Sequence, residues 1–319
     1  MNSRWHRRAR ILEVPKRHPW WKSHAQLPTV LRINDTLWRI CLSGRDEQNR
    51  ANVVAVDVDP TRNMAVLSVS EDRPLPFGGP GTIDRDGVGV TCVLEHAGQQ
   101  MWVGGSMNVR DHDQYRIASY WLTSPDDGRS FERVAAPPFL VAGPDNPLGA
   151  GMAQVLWIEE RWHMWFTSMR PWSSTDGGPS EPTYDIRHAV SADLHNWVQD
   201  PGPAIALDRP REAGIVRPSV VRGPSGFEMW YSVRGPASSD PNSRNYRIGY
   251  ATSVDARRWE RHDERFTFEN PPAQGDWDSD MQCYPTIVDD GKRRYLFYSG
   301  NGFGRDGFGY AVGVEDGDP

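Results

Sequence analysis

The sequence predicts an all-β chain made of five copies of one antiparallel unit. Aromatic residues number 34 (14 Trp, 10 Tyr, 10 Phe) and Gly plus Pro 56 (30 Gly, 26 Pro), the mixture expected of many short strands joined by turns. One apolar pattern occurs five times, as LPTVLRI at Leu27, VTCVLEH at Val90, MAQVLWI at Met152, RPSVVRG at Arg217 and YPTIVDD at Tyr284. With Pro28, Thr91, Ala153, Pro218 and Pro285 taken as equivalent anchors, the spacings are 63, 62, 65 and 67 residues, so five similar units fill the chain.

Each anchor opens a first strand. A second follows as WRICLSGR from Trp38, MWVGGSMN from Met101, HMWFTSMR from His163, EMWYSVR from Glu228 and YLFYSGN from Tyr295. Third strands begin at Asn52, Arg116, Ile186, Arg247 and Phe308, and the ending Ser-x-Asp-x-x-x-Trp recurs at Ser191/Asp193/Trp197 and Ser253/Asp255/Trp259. Units too small to bury both faces alone stack radially, which gives a five-bladed β-propeller. Its blades cover about 24–80, 81–145, 146–210, 211–275 and 276–314 plus 9–14, within a single domain of 1–319. The last unit ends after three strands, so the N-terminal run Ala9 to Val14 is expected to add its outer strand and close the ring, since a bare strand edge is costly. Polar insertions from Ser173 and Gly235 fall at the same place in the third and fourth units, where a rim or lid is built. Trp102, Trp165 and Trp230 recur at one second-strand position and are expected in the core.

Several functions are excluded. A net charge of −6 gives no nucleic-acid footprint. No apolar run approaches the roughly 18 residues that span a bilayer. The basic first 24 residues lack the apolar stretch of a secretory signal, so the expected location is the cytoplasm. Three cysteines without CxxC spacing (Cys41, Cys92, Cys283) argue against a disulfide framework or a zinc site, and no cofactor or metal is expected. The glycines of GNGFGRDGFG from Gly300 sit in a hairpin with no helix behind them, unlike a phosphate loop.

In a propeller the starts of the first strands and the ends of the second strands share one face. Reading back four to seven positions from each anchor gives His24, Asp86, Gly149, Glu212 and the stretch holding Asp278, Asp280, Met281 and the following Gln282. Opposed carboxylates and an imidazole there suit acid–base or nucleophilic work. Reading forward gives Arg45, beside Asp46, then Asn108, Arg170, Arg234 and Asn301, a set able to hold an anion or many hydroxyls. Arg217 would join it. Trp20, Trp21 and Trp277 do not repeat, and either sugar stacking or core packing fits them. His188 replaces a repeated tyrosine, and a pocket role or a satisfied core position fits it equally.

The motifs KSHAQLP (Lys22), SGRDEQNR (Ser43), GGPGTIDRDGV (Gly78), EMWYSVR (Glu228), YRIGYATSVDARRW (Tyr246), DWDSDMQCYPTIV (Asp276) and YSGNGFGRDGFGYAV (Tyr298) resemble the five-bladed propeller clan of arabinanases, invertases and levansucrases, glycoside hydrolase families 43, 32, 68 and 130. The resemblance implies a catalytic Asp opening the first blade, an Asp opening the third and a Glu opening the fourth. Glu212 in REAGIVRP matches the last. His24-Ala25-Gln26 and Pro147-Leu148-Gly149-Ala150 stand at the other two, with Asp145 the nearest acid. The expectation is therefore an enzyme acting on a sugar or sugar-like polyhydroxylated substrate by glycosyl cleavage or transfer. Glu212 is the general acid and Asp86 or Asp280 the base, assisted by His24. Arg45, Asp46, Arg170, His188, Arg217, Arg234, Trp21, Asp278, Gln282 and Asn301 bind substrate. The alternatives are a lyase, cyclase or isomerase on a recruited propeller, and a silent glycan-binding protein. The expected partner is a small molecule or glycan.

Overall fold

The computed structural model describes residues 3–15, 18–109, 114–174, 180–238, 242 and 244–314, and their regular structure is nearly all β. Parts of the two polar insertions, 175–179 and 239–241 with 243, lie outside the described residues. Sixteen strands follow the predicted order in four antiparallel modules, joined two by two into eight-stranded sheets by single parallel bridges at Ala51–Gly87 and Tyr184–Gly214: Ser23–Asn34, Leu37–Arg45, Ala51–Asp59 and Ala65–Val69; then Gly87–His96, Gln99–Asn108, Arg116–Thr123 and Glu132–Arg133; then Ala150–Ile158, Arg161–Ser173, Glu181–Ser191 and Val198–Gln199; then Gly214–Gly223, Gly226–Arg234, Arg247–Ser253 and Glu260–Arg261. The fifth module pairs Cys283–Asp289, Arg294–Ser299 and Phe308–Gly313, and its fourth strand is Ser3–Leu12, antiparallel to Phe308–Gly313. This N-terminal strand starts earlier than the expected Ala9, and Phe266–Phe268 pairs parallel with its outer side through Ser3, Arg4 and Trp5.

The anchors repeat because one side chain must tie each first strand to the next. Thr29 Oγ1 donates to Val90 O (3.1 Å) and Thr91 Oγ1 to Ala153 O (3.1 Å). Gln154 exchanges both of its amide bonds with the backbone of Val220, Ser219 Oγ accepts from Ile287 N (2.8 Å), and Thr286 Oγ1 donates to Pro28 O. Buried polar groups find partners in this way, and the chain of bonds runs from the first module through the fifth and back to the first.

Arg217 sits where these strands meet and is 2% exposed. Its guanidinium donates to Thr91 O (2.6 Å), Pro28 O (3.0 Å), Thr29 Oγ1 (3.3 Å) and Thr286 Oγ1 (3.0 Å), while its backbone N–H donates to Thr167 Oγ1 (3.1 Å). One residue thus bonds to the other four modules. No carboxylate pairs with it among the described residues, and burial pushes its pKa down to about 10.

Between modules the packing is aromatic, as the repeat implied. Trp102, Trp165 and Trp230 are buried. Trp165 Nε1 reaches Ala256 O (3.0 Å) and Trp230 Nε1 reaches Ser3 Oγ (2.8 Å), each in the following module. All three cysteines are buried and unpaired, and burial raises the Cys41 thiol to about 12.

Candidate functional site

The first strands share a local device that the sequence conceals. Each breaks register at its anchor, a β-bulge, and in four of the five the residue just before the anchor is left-handed: Leu27 (φ 54°), Met152 (φ 52°), Arg217 (φ 57°) and Tyr284 (φ 57°). Non-glycine residues adopt this conformation at a cost and cluster where function needs them. Leu27, Met152 and Tyr284 turn into an apolar cluster with Val216, Met169, Tyr184 and Tyr246, to which all five modules contribute. Arg217 points the other way, into the bonds described above. On its far side the same five strands line a cavity of about 560 Å³ with Val30, Leu156, Val220 and Ile287 in its wall.

The cluster carries aromatic rings throughout, with Arg234 against one of its tyrosines. Phe303 is edge-on to Tyr246 (5.8 Å), and Tyr115 is edge-on to Trp172 (6.0 Å). Tyr246 meets Tyr184 through their hydroxyls, and Arg234 Nε donates to Tyr184 Oη (2.6 Å). Burial raises the pKa of Tyr246 and of Tyr284, so these phenols stay protonated.

At one side stands His24, left-handed (φ 61°). Trp21 Nε1 donates to its carbonyl (2.6 Å) and Ser23 Oγ contacts its Nδ1 (2.8 Å). Burial, with the guanidiniums of Arg45 and Arg305, lowers its pKa to about 4, which makes it a neutral imidazole at physiological pH. Arg45 arrives as the cross-strand neighbour of Ser23. Arg305 arrives on the turn Asn301–Gly304, which presses on the first module so closely that a Cβ on Gly304 would lie 2.5 Å from Ala25 O. Asn301 Oδ1 fastens that turn by accepting from Asp280 N (2.8 Å) and Met281 N (3.0 Å).

Glu212 is not at the axis. Both of its oxygens accept from Arg261 (2.8 and 2.7 Å), a residue of the outermost strand of its own module, and Asp208 N donates to it as well (2.9 Å). The arrangement repeats: Asp84 accepts from Arg133 Nε (2.7 Å), Asp278 accepts from Arg7 (2.9 Å at each oxygen), and Asn146 Nδ2 donates to Gln199 Oε1 (3.2 Å). In each case a polar residue entering the first strand is clipped to the fourth strand of the same module. Giving up this carboxylate to proton transfer would leave the Arg261 guanidinium with Asp263 alone.

The other expected residues fall in several places. Arg45 lies across the strand pair from Ser23, the neighbour of His24, and Gln282 Nε2 donates to Asp278 O. Asp86 accepts from Val109 N (2.8 Å), and Asp280 is exposed. Asp46 braces its own loop through Arg50 (2.9 Å). Arg234 is consumed internally by Glu181 (2.6 Å) and Tyr184. Asp278 is wholly buried, with Tyr298 Oη (2.7 Å) as a further partner. His188 does not face the cluster, because its Nδ1 meets Asp200 (2.8 Å), itself bonded to Arg257 of the next module, and its Nε2 meets His163 Nδ1 (3.0 Å). Trp21 is fully buried against Gly44 and supports His24 from beneath. Arg170, bonded to Asp185 (3.2 Å), lines a separate pocket of about 450 Å³ with Thr183, Leu207 and Arg209. The residues missed by the sequence reading are Arg305, Phe303, Tyr184, Tyr246, Tyr284 and Tyr115. Among the described residues no three His, Cys, Asp or Glu side chains gather as a metal site, and no helix is long and apolar enough to cross a membrane.

No family model matches the chain. Two Mycobacterium tuberculosis proteins described only as uncharacterized, from strains CDC 1551 / Oshkosh and ATCC 25618 / H37Rv, are each 29% identical over 310 residues, covering 97% of this chain and 98% of theirs. Among solved structures, one of the glycoside hydrolase family 130, described as mannoside phosphorylases with members that hydrolyse β-1,2 mannosidic linkages in Candida mannan, aligns with a TM-score of 0.69 at 13% identity, covering 100% of this chain and 97% of that one. A thermostable family 43 glycoside hydrolase aligns with 0.65 at 14% identity over 96% and 95% of the two chains. A Bombyx mori family 32 β-fructofuranosidase gives 0.55 at 12%, over 94% of this chain and 63% of that one. These neighbours belong to the five-bladed propeller clan that the sequence resembles, and at such identities the likeness is one of fold.

Proposed function

We propose that the chain is one five-bladed propeller closed by its N-terminal strand, and that its axial mouth binds a sugar or sugar-like polyhydroxylated substrate on which it acts without paired-carboxylate hydrolysis. One observation carries this reading: the bulge residues that turn toward the axis are Leu27, Met152 and Tyr284, and the carboxylate expected to act as acid is clipped by Arg261 at the outer strand. Glycosidic hydrolysis needs one carboxyl to protonate the leaving oxygen and a second to attack or to activate water. The mouth supplies neither at these axial positions. It offers instead aromatic rings, on which the apolar face of a sugar packs, hydroxyl donors, and the neutral imidazole of His24.

A neutral imidazole beside two guanidiniums can donate its N–H to negative charge that develops on the substrate, and the same guanidiniums meet that charge. That suits elimination, cyclisation or isomerisation. A role in biosynthesis fits such chemistry better than digestion of polysaccharide does. The test is calorimetric titration with a panel of mono- and disaccharides and their derivatives, using wild type, Phe303→Ala and Glu212→Gln. Binding that weakens in Phe303→Ala and persists in Glu212→Gln supports the mouth. Absence of binding by every sugar, or loss only in Glu212→Gln, would overturn it.

A further inference from the structure

We propose that the substrate of this mouth carries an oxyanion, a phosphate or carboxylate group, and that Arg45, Arg305 and His24 hold it. This deepens the reading above and rests on it.

Two modules deliver these three groups to one place. Arg45 closes the second strand of the first module, directly across from Ser23, and His24 is the next residue along. Arg305 comes from the fifth module on the turn that presses on Ala25. Neither arginine forms a salt bridge among the described residues, whereas Arg234, the guanidinium against Tyr184, is paired with Glu181. Arg45 Nη1 reaches only Asn49, through its side-chain oxygen (3.2 Å) and its carbonyl (3.4 Å), and its Nε is buried with no partner. Both guanidiniums act on His24 and neither has a carboxylate partner among the described residues, an arrangement that an anion relieves. A guanidinium also matches the geometry of phosphate and carboxylate through paired N–H donors.

The turn that brings Arg305 is built at a cost. Gly302 and Phe303 are consecutive left-handed residues (φ 60° and 61°), and an aromatic residue there is strained. The strain has a product: it places the Phe303 ring against Tyr246 and leaves Arg305 two residues further on, beside His24. A sugar ring packed on Phe303 would thus present an attached oxyanion to the three groups. His24 supplies an N–H to that oxyanion in the tautomer whose Nδ1 accepts from Ser23 Oγ, so the arginines carry the charge and the imidazole the direction.

The experiment titrates wild type with glucose, glucose 6-phosphate, glucuronate and inorganic phosphate, then repeats the series with Arg305→Ala and Arg45→Ala. Arg305 is exposed, so its variant folds even if loss of Arg45 disturbs the strand end. The expected result is that an anionic sugar binds at least about tenfold more tightly than glucose, and that Arg305→Ala removes most of this preference. Raising the salt should erode the preference too. Tight binding by phosphate alone, sensitive to Arg305→Ala, identifies the oxyanion as a separate co-substrate. Equal binding of glucose and the anionic sugars, unaffected by Arg305→Ala, overturns the oxyanion and leaves the sugar mouth standing. Failure of every sugar and of phosphate overturns both.

Discussion

Replacing Arg217 by Met tests whether one buried guanidinium pins the modules together. The side chain gives four hydrogen bonds to groups on three other modules, at Pro28, Thr29, Thr91 and Thr286. Hydrogen bonds from a charged donor contribute about 1.5–3 kcal/mol each, but removing a buried charge that has no carboxylate partner returns part of that. About 1 kcal/mol per bond is a fair net, or roughly 3–4 kcal/mol in total. Unfolding entropy near 60 °C is about 2 cal/mol/K per residue, or about 0.7 kcal/mol/K for this chain, so Tm should fall by about 5 °C. Scanning calorimetry reads the shift, with Arg258→Met, an exposed arginine, as the control. Thr286→Val removes one acceptor and should cost less, and the double variant should be less than additive because the two share a bond. A Tm within about 1 °C of wild type for Arg217→Met would refute the pin.

Deleting residues 1–14 strips Ser3–Leu12 from Phe308–Gly313 and removes Arg7 from Asp278. The truncated chain should melt earlier and less cooperatively, and unchanged melting by circular dichroism would contradict closure by this strand. Glu212→Gln breaks a bidentate pair with Arg261, and chemical denaturation should show a loss of about 2 kcal/mol, below the usual cost of halving a fully buried pair because Arg261 is partly solvated. Acid should weaken the fold through His163, whose pKa is lowered to about 4 by burial, with His188 adding to the effect. The unfolded imidazole takes its proton near its ordinary pKa of about 6.5, so this contribution is complete above that pH and is lost as the pH falls toward 4. Stability measured across that window should decline, and His163→Phe should flatten the decline.

The fold was readable because its repeat is chemical. The residue at or just after each anchor lends a polar side chain to a neighbouring first strand, at Thr29, Thr91, Gln154, Ser219 and Thr286, and the tryptophans of the second strands leave another mark. The N-terminal strand was foreseen from the missing fourth strand, although its true extent, Ser3–Leu12, followed from contacts with Trp230 and Phe266–Phe268 that no local pattern encodes. The site was less legible, and the bulges are the reason. A residue four to seven positions before the anchor looks axial if the strand is regular. The left-handed residue just before the anchor turns that position inward instead, and Leu27, Met152, Arg217 and Tyr284 give no sign of it, because left-handed backbone is expected of Gly or Asn. Glu212 and Asp278 read as chemistry because their partners Arg261 and Arg7 lie far away in sequence. Arg305 was hidden by the glycines around it, which evoke a backbone phosphate cradle when the charged side chain beside them is the feature that matters.

The most direct measurement is aglycone release from a panel of aryl glycosides in water, by wild type and by Glu212→Gln. The account predicts that neither releases aglycone above the buffer rate, while both still bind the sugar. Steady hydrolysis by wild type, abolished in a folded Glu212→Gln protein, would contradict it.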